Sequence, residues 1–279
     1  MALRDVLVHV DGTESGTACV ELAVNLAATQ GAHLTGLFVR DTLVTAPSAS
    51  ALGFSNWQLA EALMQQIANE MRSAADLAQS AFTDRAAREG VGYEWREADG
   101  VTAEMLTLHA RYADLCVIRQ PRPGAAEEGT YLDLAETLLF GSGRPVLVHS
   151  FAADPARVFN TVLVAWSGAR EAARAVNDAM PLLTHAKSVL VLAVNPREGL
   201  RGEGGELPAA DMAVHLARHG VNATALHTVA TEIDIGSVLL NEISDRGADL
   251  LVMGAYGHSP AREMILGGAT RDVLRHMTV

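Results

Sequence analysis

The feature that most constrains this chain is a repeat. The run Ala113-Asp114-Leu115-Cys116-Val117-Ile118 returns almost residue for residue as Ala248-Asp249-Leu250-Leu251-Val252-Met253. Around each copy, short apolar runs alternate with helical patterns in the same order. Self-similarity on this scale means that one structural unit has been used twice. Alternation of apolar strand and helix means that each unit is built on a doubly wound parallel sheet.

In the first copy, Asp5 to Val10 is a nearly all-apolar run, as expected of a strand buried on both faces. Asp11-Gly12-Thr13-Glu14-Ser15 supplies turn and helix-cap chemistry, and Cys19, Leu22, Ala23, Leu26 and Ala27 then share one helical face up to Gly31. Further strands are expected at His33 to Val39, Val91 to Glu97, Asp114 to Ile118 and Pro145 to His149. Trp57 to Glu89 is expected to be one long or broken helix, further helices are expected at Val101 to Tyr112 and Leu132 to Phe140, and Asp41 to Asn56 reads as a mobile connection.

Ser150 to Val158 reads as a linker, after which the pattern restarts. Strands are expected at Thr161 to Trp166, Ser188 to Val194, Ala223 to Val229 and Leu250 to Met253. Helices are expected at Glu171 to Leu183, Ala209 to Arg218, Ile235 to Asp245 and Ala269 to His276, and Arg197 to Leu207 reads as a flexible loop. Nothing in the second copy matches Pro145 to His149, so that copy is expected to lack its last strand. The expected domains are 1–150 and 158–279.

Composition narrows the function. Hydrophobic residues make up 49% of the chain and aromatics only 5%, which suits helices packed on a sheet. A formal net charge of −12 argues against nonspecific binding of nucleic acid or an anionic membrane, both of which call for a basic face. The two cysteines, Cys19 and Cys116, lie in apolar patterns and read as reduced core thiols. His149, His185 and His276 have no paired metal-ligand spacing. The N-terminus runs directly into a strand pattern, and no apolar run is long enough to span a bilayer, so a cytoplasmic protein is expected.

The candidate site follows the last apolar run. Gly254 and Gly257 stand three apart, nine residues intervene, and Gly267-Gly268 opens the final helical pattern at Ala269. Glycine suits positive φ and close ligand approach, and a helix start offers unpaired N–H groups and the positive end of a dipole. Such a loop can cradle a phosphate, and it can also be a tight turn between strand and helix.

A five-stranded α/β unit with Gly-x2-Gly-x9-Gly after its fourth strand resembles the universal stress protein family, in its tandem-domain form. The resemblance covers essentially the whole chain and implies two Rossmann-like domains of the adenine nucleotide alpha hydrolase-like kind. It implies that the second domain binds ATP or a related adenine nucleotide, with or without magnesium. Gly254, Gly257, His258, Gly267, Gly268 and Ala269 would hold phosphate, and Val194 would lie near the base. It also implies a stress-linked regulatory protein that works as a homodimer.

Two positions depart from the family pattern. Gly268 stands where Ser or Thr is usual, and Ser167 stands where an acid is usual after the first strand. The first copy departs further, placing Arg119 and Arg122 opposite Gly254 and Gly257. An arginine at positive φ would cost about 1–2 kcal/mol, and its side chain would fill the phosphate space, so the first domain reads as degenerate; the alternative is that the arginines neutralise an anion in a different way. Asp11 there is either the family's acid or a helix cap. Trp166 reads as packing and Arg262 as a solvated face. No Gly-x-Ser-x-Gly turn, Gly-x4-Gly-Lys-Ser/Thr loop or nucleophile with a visible base appears, so no enzyme is expected beyond weak ATP hydrolysis. The alternative function is a nucleotide-free scaffold acting through dimerisation.

Overall fold

A computed structural model describes residues 2–41, 57–122, 124–125, 128–156, 159–195, 208–230, 232–255 and 268–279. The expected mobile connection after Asp41 and the glycine-rich loop after Arg197 lie outside the described residues. The chain divides into two compact units, Leu3–Ala156 and a second that begins at Arg157.

The first unit contains β1 (Asp5–His9), α1 (Glu14–Gln30), β2 (His33–Asp41), α2 (Trp57–Arg88), β3 (Tyr93–Gly100), α3 (Thr102–Ala110), β4 (Leu115–Arg119), α4 (Glu128–Gly141) and β5 (Val146–His149). Its five strands are all parallel, in the order β3-β2-β1-β4-β5. Helices cover both faces, so Val6, Leu7 and Val8 of β1 are buried whichever way they point, as are Cys116, Val117 and Ile118 of β4. Cys19 and Cys116 are buried free thiols. On the β2–β3 side, a Cβ at Gly36 would come within 2.9 Å of the Phe82 ring, so glycine in the strand is what admits this buried aromatic of α2. Phe82 in turn packs on Trp95 and Tyr93 of β3, with ring centroids 5.6 and 5.9 Å away.

The second unit contains β6 (Thr161–Ala165), α5 (Arg170–Leu183), β7 (Ser188–Val194), α6 (Pro208–Arg218), β8 (Ala223–Thr228), α7 (Ile235–Arg246), β9 (Leu250–Met253) and α8 (Gly268–His276). Its described sheet has four parallel strands, β8-β7-β6-β9, which is the first sheet without the equivalent of β5.

The repeated Ala-Asp pair now has a physical reason. Asp114 accepts hydrogen bonds from the amides of Arg4 (2.8 Å) and Asp5 (3.1 Å), and its own amide donates to the Asp5 carbonyl (2.7 Å). Asp249 does the same for Asn160 (2.9 Å), Thr161 (3.0 Å) and the Thr161 carbonyl (2.9 Å). In each unit, one carboxylate fixes the start of the neighbouring strand, β4 or β9, to the start of the central one. The repeat therefore encodes strand register. It serves the fold at the amino ends of the strands.

Candidate functional site

In a doubly wound sheet, crossovers on either side of the first strand run in opposite directions and leave a crevice at the carboxyl ends. In the second unit that point lies between β6 and β9, and in the first between β1 and β4.

At the second unit's crevice, the chain leaves β6 through Trp166 and Ser167, turns at Gly168 (φ 73°) and enters α5. The cap of α5 is Ala169, whose side chain makes no cap hydrogen bond; the Ser167 hydroxyl lies 3.4 Å from the Ala169 amide, and the Glu171 carboxylate of the first turn bonds Arg170 and its own backbone. Across the crevice, β9 ends directly against that helix start. A Cβ on Gly254 would lie 2.5 Å from the Ala172 nitrogen and 2.6 Å from the Glu171 carbonyl carbon. Gly254 is therefore a glycine because the first turn of α5 touches its backbone, and its φ is not among the positive values.

Gly268 is the reverse case. It is exposed, it opens α8, and a Cβ built on it meets nothing within 4 Å. Ala269 follows in the same first turn. A Cβ on Gly236, in the first turn of α7, would meet Asp272 at 2.8 Å and the Ala269 carbonyl at 3.2 Å, so the starts of α7 and α8 lie side by side. Gly257, His258 and Gly267 lie outside the described residues.

Val194 is placed by the parity of the ladder. On the β8 side, the amides of Val189 and Asn195 donate to Asn222 (2.8 Å) and Thr228 (2.9 Å). On the β6 side, Ser188 donates to Asn160 (3.0 Å) and Leu192 accepts from Trp166 (2.8 Å). Even-numbered residues of β7 thus turn their backbone polar groups toward β6, and Val194, the last of them, turns its own toward the crevice. Sequence reasoning passed over Asn195, which carries φ 47°, the single positive value at a non-glycine among the described residues. The Asn-Pro dipeptide after a strand was the available signal.

The first unit's crevice is closed by its own side chains. Arg119, the last residue of β4, donates from Nε to Oδ2 of Asp11, and both side chains are largely buried, at 13% and 17% exposure. The other carboxylate oxygen of Asp11 accepts from the Thr13 amide (3.0 Å) and hydroxyl (2.8 Å). Thr13 caps α1 by accepting from the Gly16 amide at 3.0 Å. A Cβ at Gly16 would sit 2.1 Å from Asp11, so glycine there makes room for the carboxylate. Burial alone would raise the Asp11 pKa, but His9, Arg119 and the Thr13 amide together hold it below its ordinary value. Burial lowers the pKa of neighbouring His9 despite Asp11. Arg119 stays in strand conformation, so the positive-φ strain expected of an arginine opposite Gly254 does not arise. Arg122 is exposed at the surface. Asp11 is both cap support and ion-pair partner.

Among the described residues, no group of three or more His, Cys, Asp and Glu side chains could hold a metal ion. No described helix is long and apolar enough to cross a membrane.

The model of the universal stress protein family matches residues 2–148 and again 159–279. The chain belongs to the universal stress protein family. No match is found among curated proteins. Among solved structures, it is similar to a universal stress protein from Archaeoglobus fulgidus DSM 4304, at 18% identity over 99% of this chain and 93% of the other, with a TM-score of 0.72. It is also similar to a protein of unknown function from Pseudomonas aeruginosa PAO1, at 15% identity over 99% and 90% of the two chains, with a TM-score of 0.59. A third similar structure, a putative universal stress protein from Pseudomonas aeruginosa UCBPP-PA14, covers 98% of this chain and 90% of its own, at 15% identity and a TM-score of 0.57. At these identities, the shared property is the tandem α/β fold.

Proposed function

We propose that this universal stress protein family member is a stress-response regulator that binds ATP or a related adenine nucleotide in its second domain, residues 158–279. One observation carries the reading. The first unit's crevice is filled by the Asp11–Arg119 pair and a capped helix, whereas the second unit offers a helix start without a side-chain cap, a β9 exit ending at Gly254, and α8 opening on an exposed Gly268. Backbone N–H groups at helix starts favour phosphate. In this reading Gly257, His258, Gly267, Gly268 and Ala269 take the phosphates, Gly254 sets the strand end beside them, and Val194 meets the base. The protein acts by occupancy and not by turnover, and the described edge of β9, which has no fifth strand beside it, supports pairing as a homodimer.

A nucleotide-free scaffold is the second reading, and the Gly254 geometry favours it. The approach of α5 accounts for that glycine with no ligand at all.

Gly268→Glu separates the two. The new side chain enters open space, and an acid at a helix start favours the helix, so folding should be retained. The same charge repels a triphosphate. The expected result is at least a tenfold rise in the Kd for ATP by calorimetry, with an unchanged unfolding midpoint. Equal affinity in both proteins overturns the site. Absence of nucleotide from freshly purified wild type, together with no thermal shift in millimolar ATP and magnesium, establishes the scaffold.

A further inference from the structure

We propose that Asn195 is a positioning residue that sets base specificity at the second domain's crevice, an inference that rests on the nucleotide reading above. Its left-handed conformation turns the chain out of the sheet immediately after Val194. Two reciprocal hydrogen bonds hold the turn: Nδ2 donates to the Ala230 carbonyl at 2.8 Å, and the Ala230 amide donates to Oδ1 at 2.8 Å. The Asn195 amide completes the set by donating to Thr228 at 2.9 Å. A side-chain amide thus mimics the next rung of the β7–β8 ladder while the backbone itself departs. A left-handed non-glycine residue is sterically costly, and such outliers persist where the surroundings hold them for a purpose.

The first unit shows what the turn changes. The register matches Asn195 to Arg40 and Ala230 to Gly100. There β2 runs on in extended form through Arg40 and Asp41, paired with Asp99 and Gly100. Arg40 ties the strands by donating to Asp99 from Nε (2.7 Å) and Nη2 (3.0 Å). In the second unit both strands stop together, at Val194 and Thr228, and the amide clamp replaces the ion pair. The base side of the crevice then consists of the Val194 backbone, held at the last rung, beside the loop that starts with Val229. Val229 is 72% exposed, an apolar surface of the kind that the face of a purine covers. The clamp locks these two strand exits to each other, so it fixes the edge against which a base is read.

The test uses the full chain and three ligands, ATP, GTP and inorganic tripolyphosphate. Asn195→Ala removes both the clamp and the preference for the turn. Asn195→Gly keeps the turn and removes only the clamp, and Asn195→Asp keeps the acceptor half. We expect Ala and Gly to weaken ATP about tenfold and to bring ATP and GTP to equal affinity. Tripolyphosphate, which has no base, should bind all four proteins equally, and Asp should fall between wild type and Ala. A purely structural residue would weaken all three ligands together, and that outcome overturns the inference, as does an unchanged ATP-to-tripolyphosphate ratio. If wild type binds none of the three ligands, the nucleotide reading itself has failed and the inference falls with it.

Discussion

The two crevices began from one plan and satisfy their polar groups in opposite ways. In the first, a carboxylate follows the central strand and an arginine ends the neighbouring one, and each neutralises the other. The α1 start is capped by Thr13, so little is left there for an anion to bind. In the second, the carboxylate is replaced by Ser167 and the arginine by Gly254, and the α5 cap residue, Ala169, has no side-chain cap bond to offer. A crevice of this plan can thus be filled from within. In the first unit an ion pair occupies that place and serves the fold.

The largest test of this contrast is Gly254→Val. The Cβ alone would stand 2.5 Å from backbone nitrogen, and neither the strand end nor the first turn of a helix can give way cheaply. Overpacking of this sort costs about 3 kcal/mol, so denaturant unfolding of the second unit should shift by that amount while the first is unaffected. A change within 0.5 kcal/mol would mean that α5 slides freely, and the packing account of Gly254 would be wrong.

Arg119→Ala probes the other crevice. Removing one partner of a buried pair typically costs about 3–5 kcal/mol, and the residual exposure of this pair lowers the expectation to about 2 kcal/mol. A double-mutant cycle with Asp11→Asn should show coupling near that size, since the two groups bond directly. Additive losses would mean that the pair does not hold the crevice closed.

Much of the fold was legible in the sequence, because buried parallel strands and helix faces carry their pattern locally. The misses are informative. The third strand was expected from Val91 to Glu97 and runs from Tyr93 to Gly100. Val91 belongs to the helix end, where its amide donates to Ala86 across a left-handed Gly90. The polar tail of the strand is held by Arg40 and Asp99, a pairing that apolar periodicity does not register. The long pattern from Trp57 proved to be one unbroken helix. At the candidate site, the glycine motif could be read, but the reason for its first glycine could not. That reason is the α5 backbone, which is distant in sequence. The Asp11–Arg119 pair was equally hidden, since each residue was visible and their meeting was not.

The smallest effect expected is a difference in acid sensitivity. Burial lowers the pKa of His9, His109 and His149, all in the first unit. In the unfolded chain these groups protonate near the ordinary histidine value of 6.5, while the folded state resists until a lower pH. Below about pH 6.5 the unfolded state therefore binds more protons, and the first unit loses stability as pH falls toward the depressed values. Asp11 adds a second loss only below its ordinary value of 3.8, as pH falls through its lowered folded pKa. In the second unit, the amide and hydroxyl of Ser237 hold Asp234, the cap of α7, at about 2, so its contribution persists until strongly acid pH. Hydrogen exchange at Val8 and Val164, one core amide from each central strand, should separate the units. Between pH 7 and 5, after correction for intrinsic exchange, protection at Val8 should fall while protection at Val164 holds. Parallel loss at both would mean that the buried histidines of the first unit do not govern its stability, and that the two units differ at their crevices alone.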